Sequence, residues 1–413
     1  MEQTLTAKVR LYPNHEQTQQ FEEVTKEYQR LCNIVSQWYF DEHFLPERKR
    51  FQREMYHDLR AKSNLNSLMV QSVFRTVNAR YKTVQTQLKQ RPFKYKTDEI
   101  DPKTGKNIWK HIPRDLEWLR KPIKFSRPQA DYVRSYNYSF VQKGTKISIN
   151  VLGKRIKVPF NANYLPFSLE DKDIKLGTAK LVCLKGHWFL HMSYTKAISE
   201  WQKEDNQHVV GIDRGLRFLT TAYDEKGKTN FVSGKSIAYK RKKYAYLRSK
   251  LQAKGTKSAK RKLKRLEHQE NRWMADINHC LSKTLVERYG QNTLFVLEDL
   301  TNVTFEKSNS NKGQTRELHS WSFYDLQTKL IYKAQRNQNQ VLIVSAKYTS
   351  QRCPRCGQIR KENRNHSLHE YKCVNCGFRT NDDRVGAMNL QELGKQYISG
   401  VERPKFELNN VTD

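Results

Sequence analysis

Two C-x₂-C pairs near the C-terminal end constrain this chain more than any other feature. Cys353 and Cys356 form one, Cys373 and Cys376 the other, with sixteen residues between them. A C-x₂-C turn delivers two sulfurs to one point, and two such turns complete the tetrahedral thiolate set that zinc prefers. Four protein sulfurs leave no open position for water, so the ion's role is expected to be structural. Gly357 and Gly377 follow the second cysteine of each pair, where the left-handed turn of a zinc knuckle suits a residue without Cβ. A redox role for either pair is the weaker reading, because one metal explains both at once. Cys32, Cys183 and Cys280 are scattered singly. They read as small buried apolar residues rather than a disulfide framework, which predicts a reducing, cytoplasmic setting.

Around the cysteines stands a second pattern. Asp213 closes the apolar run of "VVGIDRGL", Glu298 closes that of "TLFVLEDL", and Asp383 follows the last cysteine by seven residues in "TNDDRVGAMNL". Hydrolysis of a phosphodiester by in-line attack works well with two Mg²⁺ ions, which are hard cations held by a few convergent carboxylates. Two acids at the ends of buried strands and a third at the start of a helix is how an RNase H-like sheet supplies them. Each acid alone has a plainer explanation: a strand-end Asp caps the next turn, and an acid at a helix N-terminus is favoured by the dipole. Three in this order, in a chain this basic, favour the metal site. Asp299 competes with Glu298, although only one of two consecutive strand residues faces the site. Asp382 competes with Asp383 and suits the N-cap position.

Lys and Arg number 76 against 42 Asp and Glu, a formal net charge of +34. Such a surplus is relieved most simply by a polyanion, whose condensed counterions the basic side chains displace. Nucleic acid is preferred to a membrane surface, since there is no run of about 18 apolar residues and the N-terminus has no apolar signal core. No small-molecule substrate is expected. The chain's 413 residues are too many for one core, so two or three domains are predicted.

Residues 1–12 alternate as a strand, and 16–88 repeat apolar residues at helical spacing. Residues 89–140 interleave cations, aromatics and prolines, a mixture suited to stacking on bases and contacting phosphates. Lys94, Lys96, Lys124 and Arg127 are the candidates there; the competing reading is a loop whose rings pack on the neighbouring domain. Residues 144–195 read as hairpins turning near Gly153 and at Lys185-Gly186. With the first strand they are expected to form one small barrel, into which the helices are inserted. Residues 237–289 read as two helices broken at Gly255. Between Lys240 and Arg272 they carry fourteen Lys or Arg against two Glu. Lys240, Arg241, Lys242, Lys243, Arg261, Lys264 and Arg265 are the candidate nucleic-acid contacts on that face. "HSWSFYDLQTKLIYKAQRNQ" and "DDRVGAMNLQELGKQYI" read as helices and "QVLIVSAKYTS" as a strand. The tail from residue 399 is expected to be mobile.

These residues resemble the TnpB family, the OrfB proteins of small insertion sequences, and are similar to the miniature type V CRISPR nucleases. The resemblance runs from "KVRLYPNHEQ" through "GIDRGL" and "VLEDL" to "YTSQRCPRCG", "YKCVNCG" and "NDDRVGAMNL". It implies an α+β multidomain protein: a wedge-like β-barrel (1–15 and 141–200), a helical recognition insertion (16–140), a RuvC-like nuclease (206–345 and 378–398), a zinc ribbon (346–377) and the tail (399–413). It also implies an RNA-guided DNA endonuclease of a transposable element, cutting next to a short motif. A guide RNA from the element end and double-stranded target DNA would be its partners. It would lie in a prokaryotic cytoplasm, with the nucleoid when bound to DNA. The family's catalytic acids fall on Asp213, Glu298 and Asp383. The family helix usually reads D-x-N-A-A, whereas here Asp383 is followed by Arg384, Val385, Gly386 and Ala387. Competing readings are a guided DNA-binding protein that does not cut, an accessory transposase protein, a plain structure-specific nuclease, and a zinc-ribbon RNA-binding protein.

Overall fold

The computed structural model describes the chain except residues 45–46, 103–104, 106, 143, 200, 203–204, 206–207, 301–322, 366 and 408–413, together with the side chains of Tyr164 and Glu267. It divides into two compact units, Glu2–Ala197 and Met1 with Ile198–Asp413. No helix among the described residues is long and apolar enough to cross a membrane.

In the first unit, strand β1 (Glu2–Arg10) leads into helix α1 (His15–Asp41). Asn14 and Gln17 form a reciprocal capping box at the start of α1, satisfying orphan amides of its first turn. Short helices α2 (Arg48–Phe51) and α3 (His57–Ala61) flank a π-helical turn and precede α4 (Ser67–Lys89). The buried Tyr28 hydroxyl meets Ser72 at 2.8 Å and Thr76 at 2.9 Å, joining α1 to α4 without an unsatisfied polar group. A hairpin follows, β2 (Phe93–Ile100) with β3 (Asn107–Ile112), where the sequence suggested irregular chain. The unit's remaining strands are β4 (Gln129–Tyr132), β5 (Tyr138–Val141), β6 (Lys146–Asn150), β7 (Arg155–Pro159), β8 (Ile174–Leu184) and β9 (His187–Ala197).

The expected barrel does not close among the described residues. The strands form a four-stranded sheet, β1-β9-β8-β4, and a three-stranded sheet, β5-β6-β7, linked by a single bridge between Leu11 and Phe160. Pro13 ends the extended run just beyond that bridge, so the contact with the end of β7 does not grow into a ladder there. The two sheets, α1 and α4 nevertheless share one apolar core.

The second unit is built on a five-stranded sheet in the order β12-β11-β10-β13-β14. β10 (His208–Asp213), β11 (Phe218–Tyr223) and β12 (Thr229–Ser233) form an antiparallel meander. β13 (Thr293–Asp299) and β14 (Gln340–Ser345) run parallel to β10. Helices α5 (Lys235–Lys254) and α6 (Lys257–Tyr289) provide the first crossover, broken at Gly255, whose φ is +61°. Helix α7 (Phe323–Arg336) stands before β14; the part of its expected span at residues 319–322 lies outside the described residues. A small three-stranded sheet, β15 (Arg364–Asn365), β16 (Glu370–Lys372) and β17 (Arg379–Asn381), carries the cysteines. It runs directly into helix α8 (Asp382–Ile398).

Both faces of the central strands are covered, which explains their nearly continuous apolar sequence. Val210, Ile212, Phe295 and Leu297 pack with Leu285 of α6 and Leu330 of α7. Val209, Leu294 and Val296 pack with Leu390 and Leu393 of α8 on the other face. Gly211 permits that second contact: a Cβ there would lie 2.0 Å from the Ala387 carbonyl oxygen. The tail is tied down as far as Glu407, because Phe406 is buried in this same cluster and faces the Arg352 guanidinium at 4.5 Å. The expectation of a mobile tail from residue 399 therefore does not describe residues up to 407; residues 408–413 lie outside the described set.

Candidate active site and cysteine cluster

The alternation of the sheet decides which acids meet. Val209 and Gly211 face α8, so Asp213, two residues on, faces it too. Leu294 and Val296 face α8, which puts Glu298 on that side and sends the exposed Asp299 to the other. In the parallel pairing Ile212 is opposite Leu297. Asp213 and Glu298 therefore sit one step beyond, at the carboxyl edge of adjacent strands, where open α/β sheets keep their sites. Asp383 opens α8 above them. Gly386, on the next turn, leaves room for Asp213: a Cβ at Gly386 would lie 3.1 Å from the Asp213 Cγ.

The electrostatics record this convergence. Burial pushes the Asp213 carboxyl well above its ordinary range, and the charges of Glu298 and Asp383 push it further, against the pull of Arg364. Burial also raises Glu298, opposed by a hydrogen bond from the Thr349 hydroxyl and by Arg214 and Arg364. Asp383 is raised by burial and then by Asp382. The acids are close enough to resist losing their protons together, the condition that a divalent cation relieves. They do not form one tight trio: among the described residues, the carboxylate group converging within 4.8 Å is Asp382 and Asp383 with His369.

Asp382 is almost fully buried and accepts from Arg364 Nε at 3.0 Å, while Asp383 lies 3.7 Å from the same guanidinium. Asp382 is not the N-cap. Asn381 takes that place, its side chain accepting from the amides of Asp383 and Arg384. The extended backbone of Asn381 and its short amide suit the role better than an acid committed to an arginine.

Several residues of this region escaped the sequence reading. Arg214 is 7% exposed. It donates to the Phe323 carbonyl and to Gln327 Oε1, each at 3.1 Å, and to the Glu298 carbonyl. Its pKa falls to about 10 through burial, partly offset by Glu298 and Asp213. Arg364 and His369 come from the small cysteine-bearing sheet. Only the adjacency of Arg214 to Asp213 was a local signal; the others depend on tertiary placement.

The four cysteine sulfurs converge within 4.8 Å of one another. Cys353 and Cys376 are 3.6 Å apart, as are Cys356 and Cys373. That is too long for a disulfide of about 2.05 Å and close to the edge of about 3.8 Å of a tetrahedron with Zn–S bonds of about 2.3 Å. The donor set therefore fits a tetrahedral soft cation. Gly357 and Gly377 have φ of +76° and +68°. A hydrogen bond from the Gln358 amide holds the Cys356 thiol down to about 6, while burial raises Cys353 to about 12. Val385, in the place of the family's Asn, is buried with Cys353, Cys373 and Tyr371. One turn of α8 thus touches the cysteine cluster through Val385 and the acids through Asp383.

The candidate basic residues fall into separate places. Lys94 and Lys96 are on β2. Lys124 and Arg127 line a groove of about 700 Å³ in the first unit, together with Arg75, Arg80 and Lys180. Lys240, Arg241, Lys242 and Lys243 are on α5, and Arg261, Lys264 and Arg265 on α6. These two helices pack through Tyr244 against Trp273 and an Arg248–Glu270 ion pair. Arg75, Arg80 and Lys180 were not anticipated from sequence.

The chain is thus a mixed α/β protein of two compact units, one of which sets clustered acids at a sheet edge beside four convergent sulfurs. The comparisons narrow its class. The OrfB_IS605 family, described as a probable transposase, matches residues 191–308, and the Cas12f1-like TNB domain matches residues 323–390. The TnpB-like protein MJ0751 of Methanocaldococcus jannaschii is 30% identical over 192 residues, 45% of this chain and 68% of that protein. The chain belongs to the TnpB family. The putative RNA-guided DNA endonuclease InsQ of Escherichia coli K12 is 28% identical over 231 residues, 52% of this chain and 56% of that one. The CRISPR-associated endodeoxyribonuclease Cas12f1 of Syntrophomonas palmitatica is 27% identical over 227 residues, 51% of this chain. That match spans only 44% of the relative's length. The fold is similar to that of a Cas12f1 chain solved in a Cas12f1-sgRNA-target DNA complex. The TM-score is 0.58 at 11% identity, covering 95% of this chain and 98% of that one.

Proposed function

We propose that this chain is an RNA-guided DNA endonuclease of a transposable element, which cuts double-stranded DNA beside a short motif. The five-stranded sheet is its RNase H-like, RuvC-type nuclease domain. The cysteine module is its zinc ribbon, with Cys353, Cys356, Cys373 and Cys376 holding Zn²⁺. Asp213, Glu298 and Asp383 hold two Mg²⁺ ions, which when bound supply Lewis-acid stabilisation and an activated water. The reading rests above all on the placement of Asp213 and Glu298 at the carboxyl edge of adjacent parallel strands, with Asp383 opening the helix packed on them, in a chain of net charge +34. The names of InsQ and Cas12f1 support it.

The chain's own residues organise this centre. The Thr349 hydroxyl orients Glu298, and Arg214 fixes the end of β13 through the Glu298 carbonyl. Arg364, held by Asp382, presents a planar guanidinium beside Asp383, suited to bidentate contact with a phosphate. In the other unit the groove lined by Arg75, Lys124 and Arg127 offers cations to nucleic-acid backbones. Base pairing reads sequence in such a system, so the protein need only grip backbones and one short duplex.

The test is to purify the protein from cells carrying its own genomic neighbourhood, sequence the RNA that accompanies it, and offer plasmids matching that RNA. A discrete RNA ending in sequence outside the element, with Mg²⁺-dependent cutting of the matching plasmid, is expected. Cutting without RNA would make it a plain nuclease, and RNA without cutting a guided binder.

A further inference from the structure

Two-stranded hairpins are marginal in water unless something covers them. The β2–β3 hairpin shows the consequence of lacking cover. Phe93 is 45% exposed, Trp109 59%, Ile112 41% and Trp118, just beyond the hairpin, 44%. None of these is among the buried residues of their unit's core. Large rings left in solvent in a charged setting mark an interaction surface.

Their arrangement says what kind. Phe93 and Tyr95, two apart on β2, share one face and lie nearly parallel, with centroids 6.4 Å apart and planes at 17°. Trp118 extends the row beside Phe93 at 5.6 Å. Residues i and i+2 of a strand repeat at about 6.6 Å, roughly twice the rise of about 3.4 Å per nucleotide in a stacked strand. The opposite face pairs Lys96 with Trp109 and Lys94 with His111. From Arg91 to Lys124 the sequence carries ten Lys or Arg against five Asp or Glu. Flat rings in a row, interleaved with cations, match the π-faces and phosphates of an unpaired strand.

We propose that Phe93 and Tyr95 of β2, with Trp118, form a stacking platform for unpaired nucleotides of the RNA that the chain carries. This rests on the RNA-bearing reading above. RNA is preferred to a displaced DNA strand because a marginal hairpin needs a resident cover, and a guide is present before any target is found. Single-stranded RNA loops also offer the splayed bases that such rings take.

The test uses the full-length protein purified with its own RNA. Ultraviolet crosslinking followed by peptide mass spectrometry is expected to place nucleotide adducts on Tyr95 or Trp118. The triple substitution Phe93→Ala, Tyr95→Ala, Trp118→Ala should weaken RNA binding about tenfold or more. It should leave the slope of log K against log salt unchanged, since no cation is removed. Tyr95→Phe with Trp118→Phe should bind like the parent. RNA that co-purifies but crosslinks only elsewhere, with the triple variant binding within twofold, overturns the platform and leaves the guided reading standing. Loss of self-association with RNA binding unchanged gives the face to a second copy and equally overturns it, as do adducts formed only after DNA is added. Absence of any RNA defeats the guided reading, and this inference with it.

Discussion

The four sulfurs and the three acids, each proposed as a ligand set, are assembled in opposite ways. The sulfurs arrive on two local turns, each closed by a glycine at positive φ, so spacing alone brings each pair together. The acids arrive from two parallel strands and a helix, and only the pairing of Ile212 with Leu297 and the packing of α8 on Gly211 bring them near one another. A ligand set made by turns can be read from a sequence as a unit. One made by a sheet can be read only as separate strand ends.

If that contrast holds, damage should spread differently from each set. Asp213→Ala should leave the sheet intact and lower guided cleavage on the order of 10³-fold or more, the loss of several kcal/mol of metal-borne stabilisation. RNA retention, measured on the same preparation, should not change, and programmed cutting that survives would remove the acids from the mechanism. Cys373→Ser with Cys376→Ser should take bound zinc from one ion per chain to none by elemental analysis, since a set of two sulfurs cannot hold it. Cleavage should fall by about 10²-fold with RNA affinity little changed; equal loss of both would mean that the ribbon serves the whole fold.

Asp382 and Asp383 sharpen the comparison further. Asp383→Asn should cost about 10²-fold in cleavage as a lost ligand, and Asp382→Asn about tenfold as a lost partner of Arg364. The reverse order would exchange their roles.

The smallest effect concerns stability without metal. Asp213, Glu298 and Asp383 all have folded pKa values above their unfolded ones. At these three groups the folded state binds more protons, so their contribution to stability is fully present below the ordinary carboxylate range and is lost as pH rises through the raised values. Asp213→Asn should flatten that decline and raise the melting temperature at neutral pH, by about 2–4 °C for each kcal/mol of repulsion removed. Added Mg²⁺ should erase the difference.

What was legible follows the same division. Val209, Val210 and Ile212 before Asp213, and the run Leu294–Leu297 before Glu298, announced buried strands with acids at their ends. The cysteine spacing announced the cluster. Arg364 and His369 carried no local signal, because their importance lies in where a three-stranded sheet places them. The hairpin did carry one, since Phe93, Tyr95 and Thr97 alternate with Lys94 and Lys96, but the surrounding prolines and lysines masked the period of two. The barrel failed for another reason. Alternation identified its strands, yet pairing order is set by turns and packing, which the alternation does not encode.

Val385 gives the two ligand sets a common fate. Its side chain is packed among the sulfur ligands while the same helical turn holds Asp383 over the sheet. Oxidation of the thiols would therefore disturb the turn that holds Asp383 without reacting with any carboxylate.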